Sequence, residues 1–272
     1  MIFAAFKRAS IYQSNKPDIM KKSPLFLVWL IFMAATSLGI AQNKTSDGWA
    51  YEILRSGHGP QLNSNQAALT HNRLIDGNGR ELVSTYSIGV PDYQVVSELS
   101  RPFQNAFNVM QENGKYQFKI PIEDFKAAAK SGSKLKLPGE YLTWELELLQ
   151  VLPPLPDIAR VVKDAFQKGG IDNAYAEFQH HSNSRGGEVY MGEWEVNEVG
   201  YFFIGKQKIE MAIEAFEYNA RQHPKSANAH DSLAEAYLES GQKEKAVLHY
   251  KQSYKLNPKN DNARNKLKEL GF

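Results

Sequence analysis

Five residue pairs stand 34 positions apart: Ala212 and Ala246, Phe216 and Tyr250, Pro224 and Pro258, Phe203 and Tyr237, Gly200 and Ala234. Small residues recur with small ones, aromatics with aromatics, proline with proline. That recurrence confines the C-terminal part of the chain to stacked helical hairpins. The small positions let two helices cross closely. The aromatics fill the space between them, and a proline ends each unit because it cannot continue a helix. One hairpin alone leaves an apolar face open, so neighbours must stack. Residues 157–272 read as helix throughout. A divergent helix pair spans 157–192 and is broken at Gly169-Gly170. Two repeats span 193–260, and a capping helix spans 261–272.

The stretch "VLPPLP", Val151 to Pro156, separates this region from what precedes it. Three prolines in four positions sustain neither helix nor sheet, so 152–156 is expected to be a stiff linker. Upstream the periodicity changes. "WAYEIL" alternates as a half-buried strand and stops at "SGHGP". "QAALTHNRLI" and "RELVSTYSI" flank Asp76-Gly77-Asn78-Gly79, a hairpin signal. From Arg101 to Gly114, the residues Phe103, Ala106, Phe107 and Met110 fall at helical spacing, with Pro102 suited to a first turn. "KYQFKIP" alternates again, and "YLTWELELLQV" closes the region with Leu142, Trp144, Leu146 and Leu148 on one face. A sheet packed on one short helix is an α+β arrangement.

The N-terminus carries an address. Lys21-Lys22, the apolar run from Pro24 to Leu38 and the small residues Gly39 and Ala41 read as a cleaved signal peptide over Met20–Ala41, with a retained anchor as the alternative. Cleavage would start the mature chain at Gln42. Residues 1–19 precede the better start at Met20 and are expected to be a mis-called leader. The chain is therefore expected to be exported, to the periplasm of a bacterial envelope, with no membrane segment once the signal is removed. The absence of cysteine excludes disulfides, a thiolate nucleophile and a lipoprotein anchor. A net charge of +2 over 272 residues gives no reason to expect nucleic acid as a partner.

The 34-residue period, with Leu233, Ala234, Tyr237, Gly241, Ala246, Tyr250 and Pro258 on its motif, resembles the tetratricopeptide repeat. The resemblance implies a protein-interaction scaffold. Repeats of that family that clamp acidic tails carry an Asn where this chain has Glu198 and Ser232, so that role is not implied. Residues 49–151 resemble the FK506-binding-protein (FKBP) type of peptidyl-prolyl isomerase domain. The likeness lies in "YEILRSGHGP", "LIDGNGREL", "PFQNAFNVMQENGKYQFKIP" and "LTWELELLQV", in that order. The implied fold is a twisted antiparallel sheet wrapping one short helix, followed by all-α repeat hairpins.

The implied chemistry needs no nucleophile, metal or cofactor. Peptide-bond rotation costs about 18–20 kcal/mol, and an apolar aromatic cup lowers it by stripping water from the twisted amide. By resemblance the cup of this chain would be Leu82, Leu99, Phe103, Phe125 and Trp144, with Phe103 and Trp144 as its floor. Thr70 stands where the family has a tyrosine, and Leu82-Val83 where it has a phenylalanine and an aspartate. The resemblance thus implies a protein-folding factor with reduced or lost catalysis, acting on protein or peptide clients. The rival reading is a non-catalytic adaptor. An apolar pocket of ligand size between Phe103 and Trp144 would separate the two.

Other motifs carry less. A calcium loop starting at Asp76 would need Gly and an acid where Glu81 and Ser87 stand. Ser131-Gly132-Ser133-Lys134 fits the S-x-x-K of serine hydrolases, with no partner motif after it. His180-His181 is adjacent rather than at ligand spacing and reads as a solvated helix end.

Overall fold

A computed structural model describes residues 43–87, 89–128, 137–184 and 187–272. The leader, the signal peptide and the Ser131–Lys134 tetrad lie outside the described residues. Two compact units form. One holds the described residues up to Thr85 together with Gln94–Leu152; the other holds Tyr86–Tyr93 and Pro153–Phe272.

The first unit begins with β1 (Asn43–Lys44), β2 (Ala50–Arg55), β3 (Ala67–Ile75) and β4 (Glu81–Ser84), and β5 (Asp92–Val95) contributes Gln94 and Val95 to it. Then follow α1 (Arg101–Asn108), β6 (Lys115–Pro121), the short α2 (Ile122–Ala128) and β7 (Tyr141–Leu152). The sheet order is β1-β2-β6-β7-β3-β4, with β5 also pairing β3, and the neighbouring pairs of the β1–β4 path are antiparallel. Alternation sets the inward face. Tyr116, Phe118 and Ile120 of β6 pair with Leu146, Trp144 and Leu142 of β7, and all six are buried. Their outward neighbours Lys115, Lys119, Glu145 and Thr143 carry the polar face. α1 lays Phe103, Ala106 and Phe107 on the apolar side.

Three expectations change in detail. The helix expected from Arg101 toward Gly114 stops at Asn108. Its continuation is held by another segment: Met110 O accepts from Leu62 N, and Glu112 O accepts from His58 N and Gly59 N. Gly57 is needed there, because a Cβ would stand 2.6 Å from Gln111 Cβ. Second, "PIEDFKAA" adds a helical turn, α2, to the one helix expected. Third, Tyr86–Tyr93 groups with the helices. Within that unit Tyr93 Oη accepts from Leu155 N at 2.9 Å and lies 3.1 Å from the Pro153 and Leu155 carbonyls. The Tyr93 and Tyr190 rings stack at 3.9 Å. The proline stretch is therefore hydrogen-bonded rather than a bare spacer.

The second unit comprises α3 (Ile158–Asn183), α4 (Glu193–Gly205), α5 (Ile209–Gln222), α6 (Ala227–Glu239), α7 (Lys243–Leu256) and α8 (Asp261–Glu269). Asp157 caps α3 by accepting from Arg160 N. The helical path is interrupted at Gly169 and Gly170, the latter at φ 74°, so α3 is two helices across a kink. α4 pairs with α5, and α6 with α7. The positions recurring at 34 residues are the core: Ala212, Phe216, Ala234, Ala246 and Tyr250 are fully buried. Gly200 is the tightest crossing, since a Cβ there would lie 2.4 Å from the Phe216 ring.

Candidate functional site

The resemblance-derived residues sit on four elements around one cluster. Phe103 comes from the first turn of α1, Trp144 from the middle of β7, Phe125 from α2, and Leu99 from the residues just before α1. All four are buried; Leu82 on β4 is half-buried at the margin. The sheet register places Trp144 between Phe118 on β6 and Leu74 on β3.

The rings are in contact. Phe103 meets Trp144 at 5.4 Å between centroids and 70° between planes. Phe107 and Phe118 lie 5.8 and 5.9 Å from the same indole. Trp49 meets Phe103 edge-on, at 5.0 Å and 90°. Edge-to-face pairs of this kind contribute about 0.5–1.5 kcal/mol each beyond burial. Exposure is 2% for Trp49, 2% for Phe103 and 3% for Trp144.

Trp49 was not singled out in the sequence. It is held by a tight turn in which Trp49 N donates to Thr45 Oγ1 and Thr45 N to the Trp49 carbonyl. Asp47 is also bonded to Asn105 on α1. Trp49 Nε1 donates to Asp124 Oδ2 at 2.7 Å, so the indole is fixed between α1 and α2. The sequence signals were an aromatic ahead of an alternating strand and an acid beside Phe125. Neither tells that residues 75 positions apart meet.

Thr70 is buried on the inward face of β3, opposite Leu148, and Val83 is buried opposite Leu74. The hairpin at Asp76 has no carboxylate to spare for a ligand. Its Oδ1 accepts from Asn78 N and Arg80 N, and its Oδ2 from Arg80 Nε. Gly77 passes so close to the chain that a Cβ would stand 2.5 Å from the Pro138 carbonyl. The bend is structural. An open cleft of about 450 Å³ lies beside it, lined by Asp76, Asn78, Arg80, Leu137 and Pro138. These are not the residues of the aromatic cluster.

Among the described residues no helix is long and apolar enough to cross a membrane. His181 Nε2 lies 3.6 Å from Glu177, a contact along one helix face.

No protein-family model matches the chain, and no curated protein matches it. Three solved structures to which it is similar are a peptidyl-prolyl cis-trans isomerase from Pseudomonas syringae pv. tomato, FkpA from Escherichia coli and a multi-domain immunophilin from Arabidopsis thaliana. The first is 20% identical at TM-score 0.37, covering 49% of this chain and 99% of the other. The second is 17% identical at 0.38, covering 56% and 65%. The third is 11% identical at 0.35, covering 79% and 97%. All three scores are below 0.5, so the likeness adds no weight to the geometry.

Proposed function

We propose that this chain is an exported protein-folding factor with an FKBP-type isomerase-like domain, in which prolyl turnover is reduced or lost. Its tetratricopeptide-type hairpins act as the scaffold for a protein partner. The observation that carries the catalytic part is the aromatic cluster. Isomerisation is favoured by a cup that takes up the prolyl ring and excludes water. Here Phe103, the implied floor, is in edge contact with the chain's own Trp49 and Trp144 and is 2% exposed. No ring enters without moving one of them. Thr70 and Leu82-Val83 also lack the phenol and carboxylate that would orient a substrate.

A proline-limited refolding assay tests this. The full chain should accelerate refolding far less than an intact isomerase, or not at all. Acceleration comparable to an intact isomerase, lost in Phe103→Ala, overturns the reading. Export has its own check. Terminal sequencing of the secreted protein should begin at Gln42, and retention of Met20–Ala41 sinks that part.

The same closed cluster favours a second reading, in which the first unit is only a folded adaptor. Partner capture after deletion of either unit separates the two. Under the adaptor reading neither half binds prolyl segments.

A further inference from the structure

The charge of this chain is unevenly placed. Residues 243–272 hold seven lysines and one arginine against three acids, a balance of +5, while the whole chain stands at +2. They make up α7 and α8. Two of the acids are already paired, Asp261 with Arg264 at 2.6 Å and Glu269 with Lys266 at 2.9 Å. Lys251, Lys255, Lys259 and Lys268 are exposed and have no ion-pair partner among the described residues. Helical spacing gathers part of the excess. Glu244, Leu248, Lys251 and Lys255 recur at intervals of three and four, share one face of α7 and are all exposed. Ala246, Val247 and Tyr250, on its other side, are buried.

A second observation is independent of charge. Leu248 is 64% exposed and Phe272 61%, the two highest values among the large hydrophobic side chains of the described residues. They belong to one patch. Lys251 Nζ stands 4.3 Å from the centre of the Phe272 ring, and Lys251 is three residues from Leu248 on the same helix face. The turn after α8 brings the ring there: Phe272 N donates to the Leu267 carbonyl at 2.9 Å, and Gly271 N to the Lys268 carbonyl at 3.1 Å. Gly271 takes φ 90°, which glycine adopts without strain.

Resting on the reading of the chain as exported, we propose that the face made by Leu248, Lys251, Lys255 and Phe272 docks the mature chain on a bilayer that carries anionic phospholipids. The charge is complementary: the ammonium groups meet headgroup phosphates. The apolar side chains reach past them to the acyl boundary, and the lysine stems lie alongside. A nucleic acid or an acidic peptide would satisfy the lysines but leave Leu248 in water, so the pairing of charge with exposed apolar surface favours lipid. The contact is peripheral, since it uses one exposed helix face and a single turn. Glu244 opens the same face and opposes the docking.

The test is cosedimentation of the mature chain, from Gln42, with vesicles of phosphatidylcholine alone or with about 30% phosphatidylglycerol. Only the mixed vesicles should carry the protein down at about 0.1 M salt, and binding should weaken at about 0.5 M as the charges are screened. Lys251→Gln with Lys255→Gln should lower the affinity about 25-fold, roughly fivefold for each lysine beside an anionic surface. Leu248→Ser with Phe272→Ser should lower it as well, and Glu244→Gln should raise it. These side chains are exposed, so the variants should keep the wild-type melting curve. Lys208→Gln with Lys225→Gln, exposed and outside the patch, should bind as the wild type does. Equal binding to both vesicles, or to neither, overturns the inference. So does mixed-vesicle binding that either patch pair leaves unchanged. Capture of polyglutamate or an oligonucleotide without capture of vesicles overturns the choice of lipid. The export reading falls separately, when terminal sequencing finds Met20–Ala41 retained.

Discussion

Replacing Gly200 with alanine puts a methyl group 2.4–2.7 Å from three carbons of the Phe216 ring. Such contacts are far inside van der Waals range. Phe216 is fully buried, so its ring has no solvent side to move to. Either α4 and α5 separate or the ring leaves its rotamer. Overpacking of this kind costs about 1–3 kcal/mol. Alanine recovers about 0.8–1 kcal/mol of helix propensity relative to glycine. The net expectation is a destabilisation of about 0–2 kcal/mol relative to the wild type, and of about 1–3 kcal/mol relative to a glycine-to-alanine change without the clash. Gly205 supplies the control. It ends the same helix, and a Cβ there meets nothing within 4 Å, so Gly205→Ala should be neutral or slightly stabilising. Urea unfolding followed by circular dichroism at 222 nm reads both changes. Adding Phe216→Leu to Gly200→Ala should restore part of the loss, because leucine lacks the colliding ring edge. If Gly200→Ala is as stable as the Gly205→Ala control, the close crossing of α4 and α5 is wrong. The physical meaning given to the 34-residue recurrence then fails with it.

The remaining expectations concern acid and catalysis. His230 and His249 face each other with Nδ1 atoms 3.1 Å apart, and His230 Nε2 lies 3.2 Å from the Pro224 carbonyl. His230 therefore carries its proton on Nε2 and accepts from His249 Nδ1–H. Burial and then the neighbouring His230 lower the His249 pKa; Glu217 opposes this and Lys245 adds to it. A lowered histidine binds fewer protons folded than unfolded, so its stability contribution is present above about pH 6.5 and is lost as pH falls below it. Asp231, raised to about 6, acts with the opposite sign below that pH, so the comparison belongs between pH 8 and 6. The melting temperature of the helical unit should fall over that interval and fall less in His249→Gln; equal slopes in the two proteins refute the pairing. Prolyl refolding assays should show far less acceleration than an intact isomerase gives, or none, with the Phe103→Ala comparison as the check.

Much of the architecture was legible because it is local. Alternation over "KYQFKIP" and "YLTWELELLQV" put Phe118 and Trp144 on one inward face, and the strands pair so that these two residues meet. The Gly169-Gly170 break appears as the kink in α3. α1 stops six residues before the glycine that was expected to end it, because Met110 and Glu112 bond to the loop from His58 to Leu62. That is a contact between distant segments, and no local propensity encodes it.

The site divides in the same way. The identities at Thr70, Leu82, Val83, Phe103 and Trp144 carried only an expectation, that of an isomerase-like pattern without its ring and acid. Composition and spacing were also enough for a helical repeat with small residues at its crossings. Whether space remains above Phe103 depended on Trp49, bonded to Asp124 from 75 residues away, and that only the folded chain decides. The unpaired Tyr250 hydroxyl is of the same kind. In sequence it is one aromatic at a recurring position; in the fold it is fully buried with no hydrogen-bond partner among the described residues. Periodicity depends on backbone geometry shared by every residue of an element, so the sequence carries it openly. The partner of a single buried polar atom depends on where several elements come to rest, and tertiary packing alone settles that.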